Sequence, residues 1–133
     1  MKPCFADTFF FLALLTRGSA AHGRAVELNR ADRPIVTTWF VMLELADHLC
    51  DSRNRHLFPK VLDAISSDNR FDLVQMDADT LNKAANLYRN RTDKEWSLTD
   101  CTSFETMKAR HISEALTGDR HFEQAGFVPL LIT

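Results

Sequence analysis

Hydrophobic and polar positions divide this chain into short, wholly apolar runs and longer segments whose apolar residues recur three or four positions apart. Pro3–Ala6 is the first short run and predicts a buried strand, followed by a helix over Phe9–Leu15 with Asp7-Thr8 at the join. Ser19 is placed to cap a second helix through about Ala31, with Ala21, Ala25 and Leu28 on one face. Arg30 to Pro34 interrupts that helix, and Pro34–Thr37 predicts a second strand. Thr38 then opens a helix to about Asp51. A fourth helix is expected over Arg53–Asp68, where Leu57, Val61, Leu62 and Ile65 keep helical spacing and Pro59 marks the start of its regular part. Phe71–Met76 alternates as a third strand, and Asp77 or Asp79 can cap a helix over Thr80–Asn90. Ser97 begins a helix through about Arg110, Ala115–Asp119 predicts a fourth strand, Arg120–Ala125 a short helix closed by Gly126, and Val128–Ile132 a last strand.

Strands alternating with helices predict an α/β fold with a mostly parallel sheet, because a parallel neighbour is reached only through a crossover. In such a sheet the carboxyl ends of the strands share one edge, and Asp7 and Asp119 each follow a predicted strand. Asp100 stands three residues after Ser97, a near-capping box that explains the acid as helix chemistry alone. Glu44 is less ordinary, lying in the apolar stretch Trp39-Phe40-Val41-Met42-Leu43-Glu44-Leu45-Ala46, where a half-buried carboxylate needs a partner or a cation. Carboxylates gathered at one edge raise each other's pKa unless a hard divalent cation joins them, which is the physical case for Mg²⁺ or Mn²⁺.

Composition narrows the setting. The 133 residues, 45% hydrophobic and 26% charged, suit a single domain over residues 1–133. With 16 Lys and Arg against 18 Asp and Glu, setting four acids aside for a site leaves a mildly basic remainder, which permits a nucleic-acid partner without demanding one. Cys4, Cys50 and Cys101 are odd in number and widely spaced, so neither a disulfide framework nor a zinc site is indicated. The start of the chain imitates a secretory signal until Asp7 interrupts it, and Phe9–Leu15 falls far short of the roughly 20 apolar residues of a membrane span. The expected setting is therefore cytoplasmic, with no membrane partner.

Four acids in this order, with Thr8 behind Asp7, the segment Ser97-Leu98-Thr99-Asp100-Cys101, and Ala115-Leu116-Thr117-Gly118-Asp119-Arg120-His121-Phe122 before Ala125-Gly126-Phe127, resemble the PIN-domain metal-dependent ribonucleases. The likeness is to the VapC-type toxins of bacterial toxin–antitoxin pairs in particular and covers nearly the whole chain. It implies an α/β/α sandwich with strand order 3-2-1-4-5, and an endoribonuclease whose Mg²⁺ or Mn²⁺ is held by Asp7, Glu44, Asp100 and Asp119. Thr8, Thr99 and Thr117 are then candidates for hydrogen bonds that orient the acids. Lys108, Arg110 and Arg120 are candidates for RNA phosphate contacts. The resemblance also implies a small antitoxin partner and a homodimer. One departure is His121, where some members of the family carry a further acid; packing or a surface hydrogen bond is expected of it ahead of a ligand's role, and His48 is left outside the site. Phe9-Phe10-Phe11 is expected in the core. The rival readings are a silent member of the same fold acting as an RNA- or protein-binding module, and a response-regulator-like phosphoacceptor, which lacks here the paired early acids and the later lysine it would need.

Overall fold

The computed structural model describes residues 1–132. Strand β1 (Cys4–Ala6) is buried throughout, as its uninterrupted apolar sequence requires of a strand covered on both faces. Helices α1 (Thr8–Leu15) and α2 (His22–Arg30) lead to β2 (Ile35–Thr38), and α3 (Trp39–His48) and α4 (Leu57–Ser67) lead to β3 (Phe71–Val74). The chain then returns through α5 (Ala78–Asn90) and α6 (Leu98–Ala109) to β4 (Glu114–Leu116), and α7 (Arg120–Gln124) connects to β5 (Val128–Pro129). All neighbouring strands pair in parallel in the order β3-β2-β1-β4-β5. Successive crossovers run outward from β1 to β3 and then back across to β4, so right-handed connections put helices on both faces of the sheet. The expected α/β/α sandwich and its strand order are therefore found.

The reversal of direction between β1 and β4 opens a crevice at the carboxyl edge of the sheet, the usual place for a ligand in such folds. Below that edge lies the core, in which Phe5, Phe10, Met42, Leu45, Phe104, Met107 and Phe122 are fully enclosed. Phe104 on α6 meets Trp96 and Phe122 edge-on, both with ring centroids 5.0 Å away, and stacks on Phe127 at 5.7 Å. This aromatic cluster locks the start of α6 to α7, and so sets Asp100 relative to Asp119.

Several boundaries differ from expectation for local reasons. Helix α2 begins at His22, because Ser19 Oγ accepts from the N–H of Ala21 in the preceding turn. Helix α4 begins at Leu57 rather than Arg53: Asp51 accepts from Asn54 Nδ2 at 3.0 Å and Arg55 donates to the Cys50 carbonyl at 3.0 Å, holding residues 51–56 in turns. Pro59 falls in the first turn of α4, where a missing N–H costs no intrahelical bond. Strand β4 ends at Leu116, which frees Thr117, Gly118 and Asp119 to turn over the crevice. Phe9 leaves the expected core; it is 36% exposed, whereas Phe10 and Phe11 are buried.

Candidate active site

The first acid is carried to the crevice by β1. Asp7 is the residue before α1 and has the extended backbone of an N-cap, yet its side chain makes no capping bond. Instead Oδ2 accepts from the Thr117 hydroxyl at 3.0 Å, and Oδ1 is buried with no hydrogen-bond partner. Among the described residues the Ser103 hydroxyl is the other buried side-chain oxygen left without one. Only 4% of Asp7 is exposed. Burial first, then the Asp100 and Glu44 carboxylates, push its carboxyl up to about 7 against the opposing pull of the Thr8 N–H and the Thr117 hydroxyl.

Asp100 comes from the opposite wall. Ser97 Oγ accepts from the Asp100 N–H at 2.9 Å, while Asp100 Oδ2 accepts from the Ser97 N–H at 3.1 Å, a complete capping box. The same Oδ2 lies 3.0 Å from His121 Nδ1. Burial raises the Asp100 carboxyl and Asp119 raises it further, against the lowering by the Ser97 N–H and His121. Asp119 caps α7 by accepting from the His121 N–H at 2.9 Å, and its own N–H donates to the Thr117 hydroxyl at 3.0 Å. Thr117 thus joins Asp7 to Asp119 through one oxygen. Glu44 reaches the cleft from α3 and accepts from the Thr8 hydroxyl at 2.5 Å.

These four acids line one open cleft of about 320 Å³, with Thr8, Phe9, Leu12, His48, Glu95, Ser97 and His121 completing its walls. Asp100, Asp119 and His121 each offer a ligand atom, all within 4.8 Å of one another. An orphaned buried carboxylate oxygen beside further acids fits a divalent cation, and oxygen-rich donors of this kind suit a hard one. Cys101 adds no nucleophile here, since burial, with Asp100 and Glu105 nearby, pushes its thiol up to about 11.

A family model described as the PIN domain matches residues 4–128. The chain belongs to the PIN-domain family. The 23S rRNA-specific endonuclease VapC20 of Mycobacterium tuberculosis is 32% identical over 124 residues, which cover 93% of this chain and 95% of the relative. The crystal structure of VapC20, a sarcin-ricin loop cleaving toxin, matches with a TM-score of 0.83 at 29% identity, covering 94% of this chain and 96% of the other. VapBC2 of Rickettsia felis, bound to a DNA fragment from its promoter, shares the PIN fold at a TM-score of 0.69 and 14% identity, covering 96% of each chain.

Within this PIN domain, Asp7, Glu44, Asp100 and Asp119 come together, and Thr8 and Thr117 bond to acids. Thr99 does not: on the helix it points away from its neighbour Asp100, and its carbonyl accepts from the Thr102 hydroxyl at 2.6 Å. Lys108 and Arg110 also stay away from the cleft. At roughly 1.5 Å per residue, α6 carries them about 12–15 Å from Asp100, where they pair with Glu105 and Asp72. Arg120 stands beside Asp119 in the chain but is paired with Glu123 at 3.3 Å on the surface. His121, expected to pack or to bond at the surface, bridges two of the acids; its place two residues after Asp119 was the available signal. Glu95 and His48 also face the cleft, His48 one helical turn beyond Glu44. No helix among the described residues is long and apolar enough to cross a membrane.

Proposed function

We propose that this chain is an endoribonuclease that hydrolyses RNA phosphodiester bonds with Mg²⁺ or Mn²⁺, and that it is the toxin of a toxin–antitoxin pair. The observation that carries the reading is Asp7: a carboxylate oxygen buried without a partner, next to Glu44 and Asp100 in an open cleft. Membership of the PIN-domain family and likeness to the VapC20 endonuclease support the reaction class. RNA as substrate supports a cytoplasmic setting, and the resemblance to VapC-type toxins supports a small antitoxin laid against the cleft and a homodimer.

Asp7, Asp100 and Asp119 would hold the cation directly, with Glu44 holding it or its water. A divalent cation there supplies two things, a lowered pKa for bound water and positive charge to offset that of the phosphate. The chain's own groups prepare this arrangement. Thr117 holds Asp7 Oδ2 and the Asp119 N–H in one geometry, so the two acids cannot separate without breaking its bonds. Thr8 fixes Glu44 from the neighbouring helix, and the Ser97 N–H fixes Asp100. His121 Nδ1, within reach of Asp100 at 3.0 Å and Asp119 at 3.4 Å, keeps these carboxylates turned inward.

Incubation of the purified chain with ribosomal RNA tests this, using Mg²⁺, Mn²⁺ or chelator and reading the new RNA ends. Cleavage is expected with a divalent cation and not in chelator. Intact RNA in every metal, from a protein that is folded and binds Mn²⁺, overturns the nuclease reading. Growth arrest on induction tests the toxin assignment separately; unimpeded growth with a folded, metal-binding chain overturns it and leaves the nuclease reading standing.

A further inference from the structure

Beside the acid cleft runs a second and larger groove, whose walls include Tyr88, Arg91, Thr92, Lys94, Trp96 and Leu98. It shares Glu95 and Ser97 with the cleft, so the two depressions adjoin. Ser97 is also the residue whose N–H donates to Asp100, which puts the groove one helix cap away from the acids.

We propose that this groove holds the single-stranded RNA segment adjoining the cut, with a base stacked on Tyr88 and a backbone phosphate on Lys94. The proposal rests on the nuclease reading and names how the substrate approaches that site. Charge supports it first. The cleft is lined by Asp7, Glu44, Glu95, Asp100 and Asp119 and repels a polyanion, so affinity for RNA must come from cations nearby. Lys108, Arg110 and Arg120 are already paired with acids, whereas Lys94 makes no ion pair among the described residues. Arg91 is held by Asp93 at 2.9 and 3.0 Å, with its guanidinium 4.9 Å from the centre of the Trp96 ring. Arg91 is thus committed to its own carboxylate and ring and builds the groove wall, which leaves Lys94 as the cation for a phosphate.

The second support is aromatic. Tyr88 is the chain's only tyrosine, and 56% of it is exposed on the groove wall, with no hydrogen bond to its hydroxyl among the described residues. Exposed aromatics interleaved with basic residues are how single strands are bound, because every base offers a face and every linkage a charge. A duplex, whose bases are already stacked, gains nothing from Tyr88. Glu95, on the lip between groove and cleft, keeps phosphates to the Lys94 side.

Two variants and a control test the groove: Tyr88→Ala, Lys94→Gln, and Lys60→Gln on α4. Anisotropy of a labelled, mixed-sequence single-stranded RNA is measured in chelator across a salt series, and cleavage of ribosomal RNA in Mn²⁺. Tyr88→Ala is expected to weaken binding by about tenfold. Lys94→Gln should reduce the slope of log affinity against log salt by about 0.7, the value for one phosphate contact on a single strand. Both should raise KM with kcat retained, and Lys60→Gln should change none of these. Wild-type cleavage alongside groove variants of unchanged affinity, salt slope and KM overturns the groove and leaves the nuclease standing. Binding that depends on Tyr88 and Lys94, with RNA left uncut in every divalent metal, overturns the nuclease and leaves the groove as an RNA site.

Discussion

Asp7 and Asp100 stand at the openings of two helices, α1 and α6, and the two openings use their acids differently. At α6 the acid has a local purpose: Ser97 and Asp100 exchange hydrogen bonds, and helix chemistry alone would justify the acid. At α1 the acid has the backbone of a cap but does not act as one; its Oδ1 has no partner, and burial holds its proton up to about pH 7. A folded chain does not keep such a group without return, because an unpaired buried oxygen costs roughly 1–3 kcal/mol. The pair shows how to weigh an acid at a helix start: Asp100 has a local role besides its place in the cleft, whereas the unpartnered oxygen of Asp7 has none and supports the proposed cation.

The largest effects should come from making the two acids neutral. On the proposed function Asp7→Asn and Asp100→Asn would each remove a negative ligand from a hard cation, and each is expected to lower RNA cleavage on the order of a hundredfold or more. Stability in chelator should separate them. Asp7→Asn removes a carboxylate that burial destabilises and should raise the melting temperature at pH 8. Asp100→Asn still accepts from the Ser97 N–H and should change stability by less than the roughly 0.5–2 kcal/mol of a whole cap. Equal melting shifts for the two variants would erase the distinction drawn between the helices.

The metal-free wild type should carry the signature of Asp7 in its pH dependence. The carboxyl has an ordinary value of 3.8 and is raised to about 7 in the folded chain, so between these the folded state binds a proton that the unfolded state does not. Stability is therefore fully present below about pH 4 as far as this group is concerned, and is lost as pH rises through about 7. The displacement corresponds to about 4 kcal/mol. Denaturant unfolding in chelator across this window measures it, and Asp7→Asn should flatten the slope. Saturating Mn²⁺ should restore stability at the upper end, by about 2.7 kcal/mol when in hundredfold excess over its Kd. A wild-type chain as stable in chelator at pH 8 as at pH 5, after correction with Asp7→Asn, would contradict the orphaned-carboxylate account.

Much of this was legible beforehand, and the reasons are specific. The buried strands were written as apolar runs, and the acids after β1 and β4 were bound to meet because parallel strands end on one edge. The strand order came from the family resemblance and not from periodicity, which is silent on which strands are neighbours. What the sequence hid was side-chain competition. Nothing in the spacing said that Asp7 would forgo its cap while Asp100 kept one, that Thr117 would serve two acids at once, or that His121 would bridge Asp100 and Asp119. Lys108 and Arg110 are close to Asp100 only along the chain; the helical rise carries them away from the cleft.

An intermediate effect is expected at the hydroxyl that joins the two walls. Thr117→Val removes the donor to Asp7 and the acceptor for the Asp119 N–H, whereas Thr8→Val removes only the donor to Glu44. Losses of metal affinity of about 10- to 100-fold are usual for such orienting groups. Thr117→Val should fall at the upper end and Thr8→Val at the lower, as measured by Mn²⁺ titration without RNA; the reverse order would make Glu44 the more important arm.

The smallest effect tests the contact between the two walls on the solvent side. Gly118 follows Thr117 on the β4 side, and Phe9 extends from α1 across it; a Cβ on Gly118 would meet Phe9 Cζ at 2.4 Å. That approach is closer than two carbons tolerate, so Gly118→Ala must displace the ring. Phe9 is 36% exposed and can swing outward, which limits the loss of stability to about 1 kcal/mol or less. Phe9 lines the cleft, so moving its ring should lower cleavage severalfold while Mn²⁺ affinity, set by the acids, is retained. Adding Phe9→Ala removes the clash, and the double variant should recover part of what Gly118→Ala lost, a coupling that independent sites would not show. If the two substitutions simply add, the glycine is not there to admit the ring, and the contact of Phe9 with Gly118 does nothing for the cleft.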